Sequence, residues 1–177
     1  METQSRRGAL TCDFDNDGFR DVAAWGEDGL SVWRGAPRGE FLASQIGPSI
    51  PEPVRTALAA DLDLDGDPDL LVATSDRLTM WTNEVGNENG WLILHPVGQE
   101  DNINRCNHHA IGSLVELRAA GRYQAQVVDS SAVHFGLGQD DSAELVRILW
   151  TNGLAQDHVN VQKNVAICER MVLKSSC

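Results

Sequence analysis

Nine residues from Asp61 to Asp69 read D-L-D-L-D-G-D-P-D, and an earlier stretch from Asp13 to Asp21 reads D-F-D-N-D-G-F-R-D. Both carry acids at the first, third, fifth and ninth positions and glycine at the sixth. Carboxylates packed this closely repel one another, so a folded chain needs a cation among them. Hard oxygen ligands with a glycine at the sharp turn are what a loop wrapped around Ca²⁺ requires. An EF-hand would add a bidentate acid at the twelfth position and flanking helices. Here the twelfth residues are Ala24 and Val72, and the flanks read as strands. The expected ligands of the first loop are the side chains of Asp13, Asp15, Asp17 and Asp21 with the backbone carbonyl of Phe19. Those of the second are Asp61, Asp63, Asp65 and Asp69 with the carbonyl of Asp67. Gly18 and Gly66 permit the turns, and Phe14, Leu62 and Leu64 are expected to point into the sheet and anchor the loops. Mg²⁺ fits less well, because it keeps its waters and demands a small octahedral site. The plainer alternative is a pair of metal-free acidic turns, and duplication in register argues against it.

Short apolar runs must hold these loops. Leu10–Cys12 enters the first loop, Asp21–Trp25 leaves it, Gly26–Gly29 turns, and Leu30–Trp33 returns. Phe41–Ile46 is expected to add a strand, and the proline-rich segment Gly47–Pro53 is unsuited to helix. The pattern then repeats 48 residues on, Asp13 to Asp61: Thr56–Ala60 enters, Asp69–Thr74 leaves and Leu78–Trp81 returns. A period of roughly 40–50 residues built from short strands suggests propeller blades or a related array. Asn83–Gly90 is polar and reads as a linker. Beyond it, Trp91–Val97, Ile111–Ala119, Tyr123–Val128, Ala132–Phe135, Leu145–Trp150 and His158–Ile167 read as strands, with hairpin signals at Ala120-Gly121 and Asn152-Gly153. The expectation is an all-β chain of ten to twelve strands. Its domains are residues 8–84 as two repeats (8–50 and 55–84), a linker at 85–90, and a β-sandwich-like domain at 91–170.

The chain has 177 residues, 42% of them hydrophobic, which supports a real core. The net charge is -12, and an acidic chain without a basic stripe is a poor nucleic-acid binder. No segment approaches the roughly 20 apolar residues of a membrane span. The start, METQSRRGAL, has no apolar signal core. The four cysteines, Cys12, Cys106, Cys168 and Cys177, lack the CxxC spacing of a zinc site. Cys106–Cys168 is the preferred disulfide of three possible pairings, set against four reduced thiols. Millimolar Ca²⁺ is available outside cells, so the calcium reading places the chain at the extracellular or cell surface.

Other residues carry weaker chemistry. The ALTCDFDND segment is similar to the start of phosphatases that use an aspartyl nucleophile. The motif occurs twice, however, and alternating helices are missing. His134–Gly138 (HFGLG) reads as a tight turn rather than a phosphate loop. His108-His109 reads as an exposed loop pair rather than a metal site. Asp140-Asp141 with Glu144, and Glu100-Asp101 with Asn102, read as solvated turns. Trp25, Trp33, Trp81, Trp91 and Trp150 suit core packing better than a sugar platform.

The two repeats, over about residues 8–84, resemble the FG-GAP/VCBS repeats of integrin-α-type β-propellers, whose D-x-[DN]-x-[DN]-G-x-x-D loops bind calcium. Residues 88–166 resemble an ASPIC/UnbV domain, which follows such repeats in proteins of the cartilage-acidic-protein type and in bacterial secreted proteins. The matching pieces are Asn89–Leu92, Asn104-Arg105, Ala110–Gly112, His134–Gly138 and Trp150–Gly153. The segment between Val128 and His134 is shorter than the family pattern. The resemblance implies two Ca²⁺ sites and an extracellular binding or adhesion module without catalysis, facing a protein or glycan partner. Two blades cannot close a propeller. Their open edges make a homo-oligomer, even a self-assembling tube or filament, an alternative reading. A carbohydrate-binding module is a third.

Overall fold

The computed structural model describes residues 6–43, 47–48, 50–99 and 106–172. The chain is all-β and divides into two compact units between Asn89 and Gly90. Fourteen strands lie among the described residues, more than the ten to twelve expected.

The first unit holds two antiparallel meanders. One consists of β1 (Arg6–Cys12), β2 (Asp21–Gly26), β3 (Gly29–Ala36) and β4 (Glu40–Ala43). The other consists of β5 (Thr56–Ala60), β6 (Asp69–Ala73) and β7 (Leu78–Trp81). The repeat is preserved in the pairing itself. Cys12 faces Asp21 and Val22 faces Trp33 in the first sheet; Ala60 faces Asp69 and Leu70 faces Trp81 in the second. Ala23, Trp25, Leu30 and Val32 of the first sheet join Leu70 and Val72 of the second in one buried cluster, completed by Phe14 and Val54. Each fully buried apolar side chain of this kind contributes about 1.5–3 kcal/mol before its ordering cost is counted. The proline-rich segment is fastened to the first sheet, with the Leu30 amide donating to the Ile50 carbonyl and the Val54 amide to the Gly26 carbonyl, both at 2.9 Å. Gly29 is needed at that crossing: its φ is +94°, and a Cβ there would overlap the Ile50 carbonyl oxygen.

The expected linker is not loose chain. Gly86–Glu88 form a 3-10 turn, and Gly86 is buried against the Asp67 side chain. Residues up to Asn89 therefore belong to the first unit. Residues 44–46, in the second half of the strand expected at Phe41–Ile46, lie outside the described residues, as do Glu100-Asp101-Asn102 and Asn104-Arg105.

The second unit comprises β8 (Gly90–Val97), β9 (Leu114–Ala119), β10 (Arg122–Val127), β11 (Val133–Gly138), β12 (Ser142–Leu149), β13 (Ala155–Gln162) and β14 (Val165–Arg170). One sheet has the order β10-β9-β12-β13, the other β11-β8-β14, with β14 parallel to β8. Alternate residues of both sheets, including Leu92, Leu94, Val115, Leu117, Phe135, Val146 and Ile148, build the core. Three expectations are corrected. His158–Ile167 is not one strand: it breaks at Lys163-Asn164, where Asn164 takes a φ of +59°. HFGLG is not a turn but part of β11. The stretch expected as a strand from Ile111 becomes β9 only at Leu114, after Gly112 turns with a φ of +91°.

The Cys106–Cys168 disulfide is also corrected: both thiols are free. Cys106 is buried in the core, whereas Cys168 faces outward from β14 between the inward-leaning Ile167 and Glu169. Cys12 is free as well, and burial pushes its thiol up to about 12; Cys177 lies outside the described residues. Maleimide labelling of the native protein followed by peptide mapping is therefore expected to modify Cys168 quickly and Cys12 and Cys106 only after unfolding. A bridged pair recovered without oxidant would contradict this arrangement.

Candidate metal centres

Each acidic loop joins the first two strands of its sheet, and the two share one backbone shape. The fourth residue is left-handed in both (Asn16, φ +54°; Leu64, φ +66°), as is the glycine at the sixth (Gly18, +88°; Gly66, +98°). The first acid organises the loop interior. Asp13 accepts from the amides of Asp17 and Gly18 at 3.1 and 2.9 Å, and Asp61 from those of Leu64 and Gly66 at 2.8 and 3.1 Å. The fifth acid accepts from the seventh amide: Phe19 donates to Asp17 at 2.8 Å and Asp67 to Asp65 at 2.9 Å.

The ninth acid has a role that its spacing did not reveal. The two oxygens of Asp21 accept from the Phe14 amide and the Gly35 amide, both at 2.7 Å. Those of Asp69 accept from the Leu62 and Asn83 amides, both at 2.8 Å. Each buried carboxylate thus clasps the start of its loop to the far end of the third strand, at Gly35 inside β3 and at Asn83 two residues beyond β7.

The loops do not gather the same acids. One oxygen each from Asp13, Asp15 and Asp21, all buried, lies within 4.8 Å of the others. In the second loop the converging trio is Asp61, Asp63 and Asp65, more exposed. With Ca²⁺–oxygen distances of about 2.4 Å, ligands on opposite sides of the ion stand about 4.8 Å apart, so each trio has the right span. The donors are all oxygen, which suits a hard cation and not Zn²⁺. Asp15 Oδ1 is buried without a hydrogen-bond partner, which fits a cation ligand. Asp17 leans instead toward Arg34; Asp69 makes the same clasp as Asp21 but is not among the three acids that converge in the second loop. Asp67, expected to offer its carbonyl, buries its side chain: Oδ1 accepts from Asn16 Nδ2 at 2.5 Å.

Several participants escaped the sequence reading. Arg34 sets Nε 2.5 Å from Asp15 Oδ2 and Nη2 2.8 Å from Asp17 Oδ2. Asn83 Nδ2 donates to the Phe14 and Pro68 carbonyls at 2.6 and 3.1 Å, and Asn89 Nδ2 to the Asp15 carbonyl at 2.6 Å. With Asn16, these amides sew the two loops together. Asn83 could have been found as the 48-residue counterpart of Gly35; the others have no short-range signal. One anchoring expectation is corrected too. Phe14 is fully buried, but Leu62 and Leu64 are 42% and 84% exposed, because only the first loop lies over the shared core.

Elsewhere the plain readings hold. His108 and His109 are exposed loop residues. Asp140 pairs with Arg122 and Asp141 with Lys163. Trp25 and Trp150 are core residues and Trp81 packs against the first core, whereas Trp33 and Trp91 are half-buried outside both clusters. Among the described residues, no helix is long and apolar enough to cross a membrane.

Two known families match the chain: residues 13–72 match the family described as FG-GAP-like repeat, and residues 103–176 the one described as ASPIC and UnbV. The chain therefore carries an FG-GAP-like repeat region followed by an ASPIC/UnbV domain. No curated protein matches it.

Burial, the largest cause, pushes several loop carboxyls upward, and neighbouring carboxylates add to it. Asp13 is held well above its ordinary value, Asp21 rises from 3.8 to about 6, and Asp67 from 3.8 to about 7. These groups hold protons more tightly folded than unfolded. Their stabilisation is present below the unfolded value and is lost as pH rises through about 6 and 7. Metal-free protein is thus expected to melt higher at about pH 5 than at about pH 7.5; the opposite slope in chelator would count against the buried acids. Asp21→Ala and Asp69→Ala each leave two amides without their acceptor. Each should lower stability by roughly 2–4 kcal/mol in denaturant titrations, even in chelator. A loss confined to metal-loaded protein would mean that the ninth acid acts through the metal alone and that the clasp contributes nothing.

Proposed function

We propose that this chain is a calcium-stabilised extracellular binding or adhesion module that performs no catalysis of its own. Its two domain types fit an extracellular β-rich module. The observation that carries the calcium reading is the convergence of three carboxylate oxygens within 4.8 Å in each of two copies of one loop. The ion would be held by Asp13, Asp15 and Asp21 in one loop and by Asp61, Asp63 and Asp65 in the other. It would neutralise acids that otherwise repel, and its binding energy would become folding energy. Against the aspartyl-phosphatase reading, Asp13 and Asp15 sit in a turn between antiparallel strands, and each Asp13 oxygen already accepts one loop amide.

A second reading, a homo-oligomer built through open sheet edges, is favoured by the apolar side chains on two edge strands. Phe41 and Leu42 of β4 are 53% and 54% exposed, and Leu78 and Met80 of β7 are 66% and 54% exposed. Light scattering on a size-exclusion column separates the two: a concentration-dependent rise in mass supports assembly, and a monomer at high concentration removes it.

Saturating both loops at about a hundred times their dissociation constants should stabilise the fold by roughly 2.7 kcal/mol per site. The melting midpoint is expected to rise by several degrees in millimolar Ca²⁺ over chelator, with two ions bound in native mass spectrometry. Identical melting curves and no bound metal would overturn the calcium reading.

A further inference from the structure

The two loops share a backbone but not an electrostatic environment. In the first, the Arg34 guanidinium lies across Asp15 and Asp17, 2.5 and 2.8 Å from one oxygen of each. In the second, the position equivalent to Arg34 is Thr82. The match is fixed by the clasps, since Gly35 meets Asp21 as Asn83 meets Asp69. Among the described residues no Lys, Arg or His pairs with Asp61, Asp63, Asp65, Asp67 or Asp69. The first loop thus sets four carboxylates against the ion-paired Arg34, its own Arg20 donating to the Thr11 carbonyl, whereas the second holds five carboxylates and no arginine or lysine of its own.

We propose that Arg34 is a built-in counter-ion of the first loop and makes the two calcium sites unequal, the second tight and the first weak. This rests on the calcium reading above. Ligand charge is a principal determinant of calcium affinity in oxygen-lined loops. Arg34 lowers that charge where the ion would sit and holds Asp15 Oδ2 and Asp17 Oδ2 in ion pairs. What remains for Ca²⁺ is Asp15 Oδ1, buried and without a partner, beside Asp13 and Asp21. The site is therefore weakened and not abolished. The Arg34 side chain is 42% exposed, so solvent moderates its effect. The first blade keeps an internal cation when calcium is withdrawn; the second has none and depends on the ion.

Calorimetric titration of the chelator-treated full chain with Ca²⁺ tests this. Two phases are expected. Asp63→Asn, at an exposed position, should remove or weaken the tight phase and spare the weak one. Arg34→Gln should tighten the weak phase by roughly tenfold and leave the tight phase alone, whereas Arg34→Lys, which keeps the charge, should leave it weak. Thr82→Arg places a guanidinium at an exposed site beside the second loop and should weaken the tight phase; it also tests the idea if Arg34→Gln does not fold. Two sites of equal affinity in the unmodified chain, or an Arg34→Gln variant whose weak phase is unchanged or weaker, would overturn the inequality while leaving calcium binding intact. Absence of binding in every variant would overturn the calcium reading and the inequality together.

Discussion

The ninth-position aspartate is the constraint from which the first unit is built. Asp21 and Asp69 are both fully buried, and each spends its two oxygens on two backbone amides. Without that acceptor, the loop's second amide and the amide at the far end of the third strand (Gly35 or Asn83) would be left unpaired. The loop, its entering strand and its returning strand are thereby fixed by one side chain. A buried carboxylate is costly, and it persists here because amide donors answer both oxygens. The trio of acids that could receive a cation is held in place by this clasp.

A second layer of polar contacts makes the two loops one structure. Asn16 reaches from the first loop to Asp67 of the second, Asn83 returns from beyond β7 to Phe14, and Asn89 reaches Asp15. An amide side chain can donate here without adding charge to a crowded set of acids. The second unit is organised differently. Its core is apolar, filled by alternating residues of two sheets, and its acidic residues pair with arginine or lysine at the surface, as Asp157 does with Arg147 and Asp141 with Lys163.

Much of this was legible in the chain. Strand positions followed from period-2 alternation and from glycine or asparagine at turns. Failures came where alternation ran on through a turn, as from Val161 across Lys163-Asn164 to Val165, where the alternation outweighed the single asparagine that takes positive φ. Leu62 and Leu64 misled for a related reason. Leu62 matches Phe14 in position and Leu64 matches Asn16, but which side of a loop meets a core depends on what packs beside it. The preferred Cys106–Cys168 pairing failed because separation along the chain says nothing about direction: one thiol points into the core and the other out of β14.

By itself the sequence determined an all-β chain, a two-fold repeat of an acidic loop, and the positions from which a cation could be ligated. Those features are local, set by residues within nine positions of one another and by the turn that glycine permits. Only the tertiary structure decided which acids converge, which acid is a clasp, and that the first loop holds an arginine where the second does not. The far arm of each clasp comes from 14 residues away, and Arg34 reaches Asp17 from 17 residues away. Strand pairing brings them together, and no spacing rule along the chain encodes it.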